Sequence, residues 1–153
     1  MGYAIRNDGQ GWRAVNGPED IGSDETYSDN QPIPSTVQIK ARAWDAIKAE
    51  RDRRKSGGVK VGAKWFHSDD GSRIQQIGLV MMGASIPANL QWKTMDGTFI
   101  TMTQTLASQV FQAVAASDQA IFAAAETHRA AMEASADPAS YDFSTGWPKV
   151  YGE

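Results

Sequence analysis

The stretch Leu90-Gln91-Trp92-Lys93-Thr94-Met95-Asp96-Gly97-Thr98-Phe99-Ile100-Thr101-Met102-Thr103 decides how this chain is read. Asp96-Gly97 between two runs of β-prone residues is a strong signal for a two-residue hairpin turn. Leu90 to Met95 reads as one strand and Thr98 to Met102 as its return. Thr103 or Thr105 then opens a helix that reaches about Ser135, where Asp137-Pro138 stops it. About 30 residues rising 1.5 Å each give a rod of roughly 45 Å. Leu106, Val110, Val114, Ile121, Ala125 and Met132 recur at helical spacing, with Phe111 and Phe122 alongside. Eleven alanines between Thr105 and Ser135 favour the helix and let neighbouring backbones approach closely.

Upstream, Val59-Lys60-Val61, Gly62-Ala63 and Lys64-Trp65-Phe66-His67 read as a second hairpin around a glycine turn. Ser68 or Asp69 is placed to cap the next helix, and Ser72-x-x-Gln75 has the pattern of a capping box one turn later. Ile74, Ile77, Leu79, Val80 and Met81 are expected to form its apolar face, and Gly83 to end it. Strands and helices in this order define an α+β module over residues 58–135. Trp65, Trp92, Phe99, Phe111 and Phe122 are expected in its core.

Residues 1–34 read as an N-terminal hairpin and an extended linker. Tyr3-Ala4-Ile5 and Gly11-Trp12-Arg13-Ala14-Val15 are the strand candidates, with Asp8-Gly9 as the turn and Gly9-Gln10-Gly11 supplying turn glycines. The polar stretch from Gly22 to Pro34 ends in Pro32-Ile33-Pro34 and reads as extended. A lone hairpin is marginal in water, so this one needs a surface to pack on, with Trp12 its natural anchor.

Residues 35–57 form a charged amphipathic helix capped by Ser35 and closed by Ser56-Gly57-Gly58. Val37, Ala41 and Trp44 share one stripe, and Ile39, Ala43 and Ile47 a neighbouring one. Both a connecting role and a partner-docking role fit this pattern. Residues 136–153 make an aromatic tail bearing Tyr141, Phe143, Trp147, Val150 and Tyr151. It either folds back on the body or docks on another protein, since loose aromatics would expose an apolar patch.

The charge is laid out in blocks. Residues 1–34 carry two basic side chains against six acidic, residues 35–55 seven against three, and the rest six against nine. In the basic block the acids are interleaved and no aromatic stacking series is present, so no nucleic-acid partner is expected. No apolar run approaches the 18 residues of a membrane span, so no membrane insertion is expected. The N-terminus lacks the pattern of a secretory signal, which points to a soluble protein made in the cytoplasm.

Reactive chemistry is hard to find. The chain has no cysteine and two histidines, His67 and His128, neither in a His-Glu-x-x-His pattern. His67 precedes Ser68, Asp69 and Asp70, a run that suggests metal ligands but is explained by helix capping. No phosphate-binding glycine loop, dinucleotide fingerprint or nucleophile elbow occurs. No catalytic residue, cofactor or metal is expected, and the chain reads as a non-catalytic interaction protein.

The Val59–His67 hairpin, Asp69 with Arg73, the Leu90–Phe99 segment, Thr103 with Leu106 and the alanine-rich helix containing His128 carry a family likeness. Together they resemble a domain of unknown function found in phage tail-fibre proteins and tail-fibre assembly proteins. Gly11-Trp12-Arg13-Ala14-Val15-x-Gly17-Pro18 is similar to the start of tail-fibre assembly proteins. The resemblance implies an assembly or chaperone factor that binds the tail fibre, in the host cytoplasm during assembly. Its alternative is a structural component of the tail fibre or baseplate, or a receptor-binding protein in host attachment, located in the virion tail. The implied partners are tail-fibre or other tail proteins, with self-association into a homo-oligomer also open. It supplies no catalytic residues. The aromatic anchors assigned to protein binding are Trp12 with Arg13 and Val15, then Trp44, then Trp147 and Tyr151.

Overall fold

The asparagine, serine and threonine residues that punctuate the first 30 positions do more than break the chain. In the computed structural model, which describes residues 1–9 and 11–153, some of them flank three strands and Thr26 and Ser28 lie within the third. Strand β1 (Gly2–Arg6) lies in the centre, with β2 (Trp12–Val15) and β3 (Glu25–Ser28) antiparallel on either side. Ala4 stands opposite Arg13 on β2 and Tyr27 on β3. The turn carries Gly9 at φ +71, and Gln10 of the expected glycine turn lies outside the described residues.

The third strand corrects the expectation of an uninterrupted linker. Glu25-Thr26-Tyr27-Ser28 lacks apolar residues, but its side chains find partners across the sheet. Arg13 donates through Nε and Nη2 to the two Glu25 carboxylate oxygens at 3.0 and 2.7 Å. Tyr27 lies over Gly2, where a Cβ would come within 2.6 Å of the ring. Three strands meet the size at which a sheet holds independently.

The chain divides into two units, Met1–Arg42 and Ala43–Glu153, and the division falls inside α1 (Thr36–Lys55). The start of α1 is a capping box built from Ser35 and Gln38. The Ser35 hydroxyl accepts from the Gln38 N–H at 3.2 Å, and the Gln38 side chain accepts from the Ser35 N–H at 2.9 Å.

In the second unit, β4 (Val59–Val61) and β5 (Lys64–Phe66) form the expected hairpin, with Gly62 at φ +60 in the turn. Helix α2 (Asp70–Met82) is capped by Asp69, whose carboxylate accepts from the Ser72 N–H at 3.0 Å. Ser72 thus serves the Asp69 cap rather than opening a box with Gln75. Strands β6 (Gln91–Lys93) and β7 (Phe99–Thr101) pair in the expected register zone, but the turn is longer than two residues. Thr94 N–H donates to Thr98 O at 2.9 Å, leaving Met95-Asp96-Gly97 as a three-residue loop with Gly97 at φ +81.

Helix α3 (Gln104–Ala134) follows the reading closely. The Thr103 hydroxyl accepts from the Leu106 N–H at 3.1 Å, and Ser135 closes the far end. Its inner row packs into two clusters. Ala107, Val110 and Val114 join Val59, Phe66, Leu79 and Met102, with Trp92 and Ile100 packed against them. Ala125 and Met132 join Ile47 of α1, closed over by Trp44, Tyr141, Phe143 and Trp147. The aromatic tail therefore packs on its own unit. The chain is an α+β protein, and among the described residues no helix is long and apolar enough to cross a membrane.

Several side chains expected inside lie outside. Ile74 is 72% exposed and Met81 82%, with Ile77 also at the surface, so only Leu79 and Val80 of that set face the core. Buried Gln76 takes an inward position because its amide donates to the His67 carbonyl at 2.8 Å. Phe99 is 63% exposed because strand alternation gives the inner face of β7 to Ile100. Phe111 and Phe122 are also exposed on α3, and the Arg51 guanidinium lies 4.8 Å from the Phe122 ring centre. Trp65 is half-buried, edge-on to Tyr151.

Candidate functional site

Adjacent residues of a strand point to opposite faces, and that rule separates Trp12 from its neighbours. Arg13 and Val15 share the face of Ala4, Tyr27 and Glu25, where Val15 is buried and the Arg13 guanidinium also donates to Asp20 O at 2.7 Å. The hydrogen bond from Arg13 is the main cause that lowers the Glu25 carboxyl below its ordinary range, and it raises the guanidinium in turn. Arg13 is thus committed to holding the sheet.

Trp12 stands on the other face beside Ile5, with Tyr3 edge-on at 5.2 Å between ring centres. Below it opens a cleft of about 310 Å³. Pro32, Ile33 and Pro34 line it together with Gln38 and Arg42 of α1. The Gln38 amide donates to the Gly9 carbonyl, which ties the helix start to the turn before β2. Ile33 is 91% exposed at the rim. Among the described residues Arg42 has no ion-pair partner. Among the described residues that line it, the cleft is mainly apolar, with Trp12 its aromatic side chain and Arg42 its cation.

The remaining anchors sit in the second unit. Trp44 is half-buried against the Ile47 cluster, with the Arg129 guanidinium 4.9 Å from its ring centre. Trp147 is in the same cluster; its indole N–H donates to Phe143 O at 2.6 Å, and its ring lies 4.9 Å from that of buried His128. His128 Nδ1 and the Tyr141 hydroxyl are hydrogen-bonded at 2.9 Å. Tyr151 stays partly exposed while its N–H donates to Gly57 O at 2.9 Å. Trp44 and Trp147 are thus placed together in the second unit.

Sequence reasoning missed Ile33 and Arg42 as neighbours of Trp12. An isoleucine between two prolines in a polar stretch was the available signal. The basic block is largely engaged: Arg53 and Arg54 both reach Glu50, Arg54 also reaches Glu153, and Arg51 bonds Asp52. His67 borders another hollow, of about 380 Å³, with Trp92 and Lys93. Among the described residues no three side chains of metal-ligating type converge.

Fold and site together describe an α+β protein with an aromatic, mainly apolar cleft in its first unit. Residues 38–145 match the family described as Domain of unknown function (DUF4376), which is more than two thirds of the chain, and the chain belongs to that family. No curated protein and no solved structure matches the chain.

Proposed function

We propose that this chain is a non-catalytic protein-binding factor of phage tail assembly, engaging the tail fibre through the Trp12 cleft. The observation that carries the binding reading is the cleft itself. A partly exposed tryptophan, an exposed isoleucine held between two prolines, and an unpaired arginine form an anchor, wall and charge suited to a protein segment. The tail fibre as partner rests on the resemblance of the Leu90–Phe99 segment and the Gly11–Pro18 opening to tail-fibre-associated proteins. The factor acts in the host cytoplasm while fibres assemble.

A structural role in the tail fibre or baseplate is the second reading. It draws support from Ile74, Ile77 and Met81, an apolar stripe at helical spacing on α2 that a permanently assembled subunit would cover.

Co-expression of the tagged chain with the tail-fibre protein of the same genome tests the proposal. The fibre co-purifies with the wild type, and Trp12→Ala reduces recovery about tenfold or more while the melting temperature stays near that of wild type. Equal recovery by Trp12→Ala, or no recovery by wild type, overturns it. Mass spectrometry of purified virions separates the two roles: a subunit is present at fixed stoichiometry.

A further inference from the structure

The hydrogen-bond register of the first sheet leaves β2 with an open edge. Arg6 N–H donates to Gly11 O at 3.0 Å, and Asn7 N–H donates to Asp24 O at 2.8 Å. Even-numbered residues of β1 therefore turn their main-chain groups toward β2, and odd-numbered ones toward β3. On β2 the residues facing β1 are Gly11, Arg13 and Val15. Trp12, Ala14 and Asn16 turn their N–H and C=O groups outward. The Asn16 N–H is taken by the Asp20 carboxylate at 3.1 Å. Among the described residues, no hydrogen bond reaches the main-chain groups of Trp12 or Ala14. An edge strand with free donors and acceptors is a template for another extended segment.

The surroundings of that edge favour such a guest. The Trp12 cleft lies at one end of β2, and a second hollow of about 320 Å³, bordered by Ala14, Val15 and Asn16, lies at the other. Arg42 supplies an unpaired positive charge to a unit whose first 34 residues are net acidic. The edge is short, and four residues are too few to select a partner by main-chain bonds alone, so selection must come from the cleft.

We infer that the partner binds by strand addition: an extended protein segment pairs with the outward groups of Trp12 and Ala14, inserts an apolar side chain between Trp12 and Ile33, and sets a carboxylate on Arg42. This rests on the proposed protein-binding role of the cleft and specifies its mode.

Ala14→Pro isolates the idea. It deletes an outward N–H, leaves every bond to β1, and proline is tolerated on edge strands where the N–H faces solvent. Recovery of the co-expressed tail fibre falls about tenfold or more in Ala14→Pro and stays at the wild-type level in Ala14→Ser, which keeps the N–H. Wild-type recovery by Ala14→Pro combined with loss by Trp12→Ala overturns strand addition and leaves the cleft reading standing. Loss in both Ala14 variants also overturns it. Should wild type recover no fibre, the role at the fibre falls, and a synthetic acetyl-Thr-Val-Asp-Leu-Thr-Val-Thr-amide peptide decides the mode in its place. Titrated into the labelled full chain, it slows amide exchange at Trp12 and Ala14, and its backbone N-methylated counterpart does not. Absence of protection at both amides overturns the inference.

Discussion

Arg73 of α2 and Asp118 of α3 meet as a fork on a fork, with the guanidinium Nη1 and Nη2 donating to the two carboxylate oxygens at 2.6 and 2.9 Å. The same arginine donates through Nε to Ser68 O at 2.5 Å and through Nη2 to Lys55 O at 2.9 Å. One side chain thus joins the end of α1, the loop before α2, and the middle of α3.

Arg73→Ala removes all of those bonds, taking the guanidinium from the Ser68 carbonyl and the Asp118 carboxylate and leaving the Lys55 carbonyl with the Ser68 hydroxyl alone. Hydrogen bonds to charged groups contribute roughly 1.5–3 kcal/mol each, and the groups here are partly buried. A loss of about 2–3 kcal/mol in urea unfolding is expected. Arg73→Lys recovers only part of it, because an ammonium cannot reproduce the planar fork. Equal stability of the alanine variant and wild type would refute the joining role.

Asp96 gives a dependence on pH. Lys64 Nζ lies 2.7 Å from its carboxylate, and the Thr94 and Thr98 hydroxyls donate to it at 2.6 and 2.7 Å. Lys64 first, then those hydroxyls, hold this carboxyl well below its ordinary value of 3.8. The folded form therefore binds the proton less tightly than the unfolded chain. Its stabilisation is complete above the ordinary aspartate range and fades as pH falls through and below it. Between about pH 5 and pH 2 the melting temperature of wild type should drop more steeply than that of Asp96→Asn. Parallel curves for the two proteins would contradict this.

Two phenylalanines separate burial from composition. Phe66 is fully buried between β4 and the inner row of α3, whereas Phe99 is largely exposed. Phe66→Ala is expected to cost about 3–5 kcal/mol from lost burial and the cavity left behind. Phe99→Ala should stay within about 0.5 kcal/mol of wild type. Chemical denaturation of the two variants compares them directly.

Gly58 joins α1 to β4 at φ +93, its N–H donating to the buried Ser68 hydroxyl at 2.9 Å. A Cβ there would collide with the Met95 sulfur. Gly58→Ala should destabilise by more than about 1 kcal/mol, since both backbone and space oppose it. Gly97→Ala meets the backbone cost alone, because nothing stands within 4 Å of that position. Thermal melts should rank Gly58→Ala below Gly97→Ala.

The elements with local signals were the legible ones. Thr103 at the start of α3, its apolar period and Pro138 after it are all contained within one segment, so that helix is read almost to the residue. Ser35 capping α1 and the Gly62 turn are equally local. Strand β3 depends on bonds to residues about 20 positions away, and Glu25-Thr26-Tyr27-Ser28 carries no apolar alternation to announce them. The outward face of α2 was misread because Gln76 and Arg73 find carbonyl and carboxylate partners inside, which displaces Ile74 and Met81. For the candidate site, the sequence singles out Trp12, and the structure shows it at a cleft, but grouping it with Arg13 and Val15 overlooked strand alternation. Ile33 and Arg42 reach it only through the tertiary course of the chain.

The α2 stripe and the core of α3 also sort the methionines by their access to oxidants. Met81 presents its thioether to solvent, while Met102 and Met132 are each 1% exposed. Sulfoxide formation follows exposure, so dilute peroxide marks Met81 early and reaches Met102 and Met132 only when the second unit opens. The two interior sulfur atoms thereby act as clocks, recording in peptide mass how often that unit breathes.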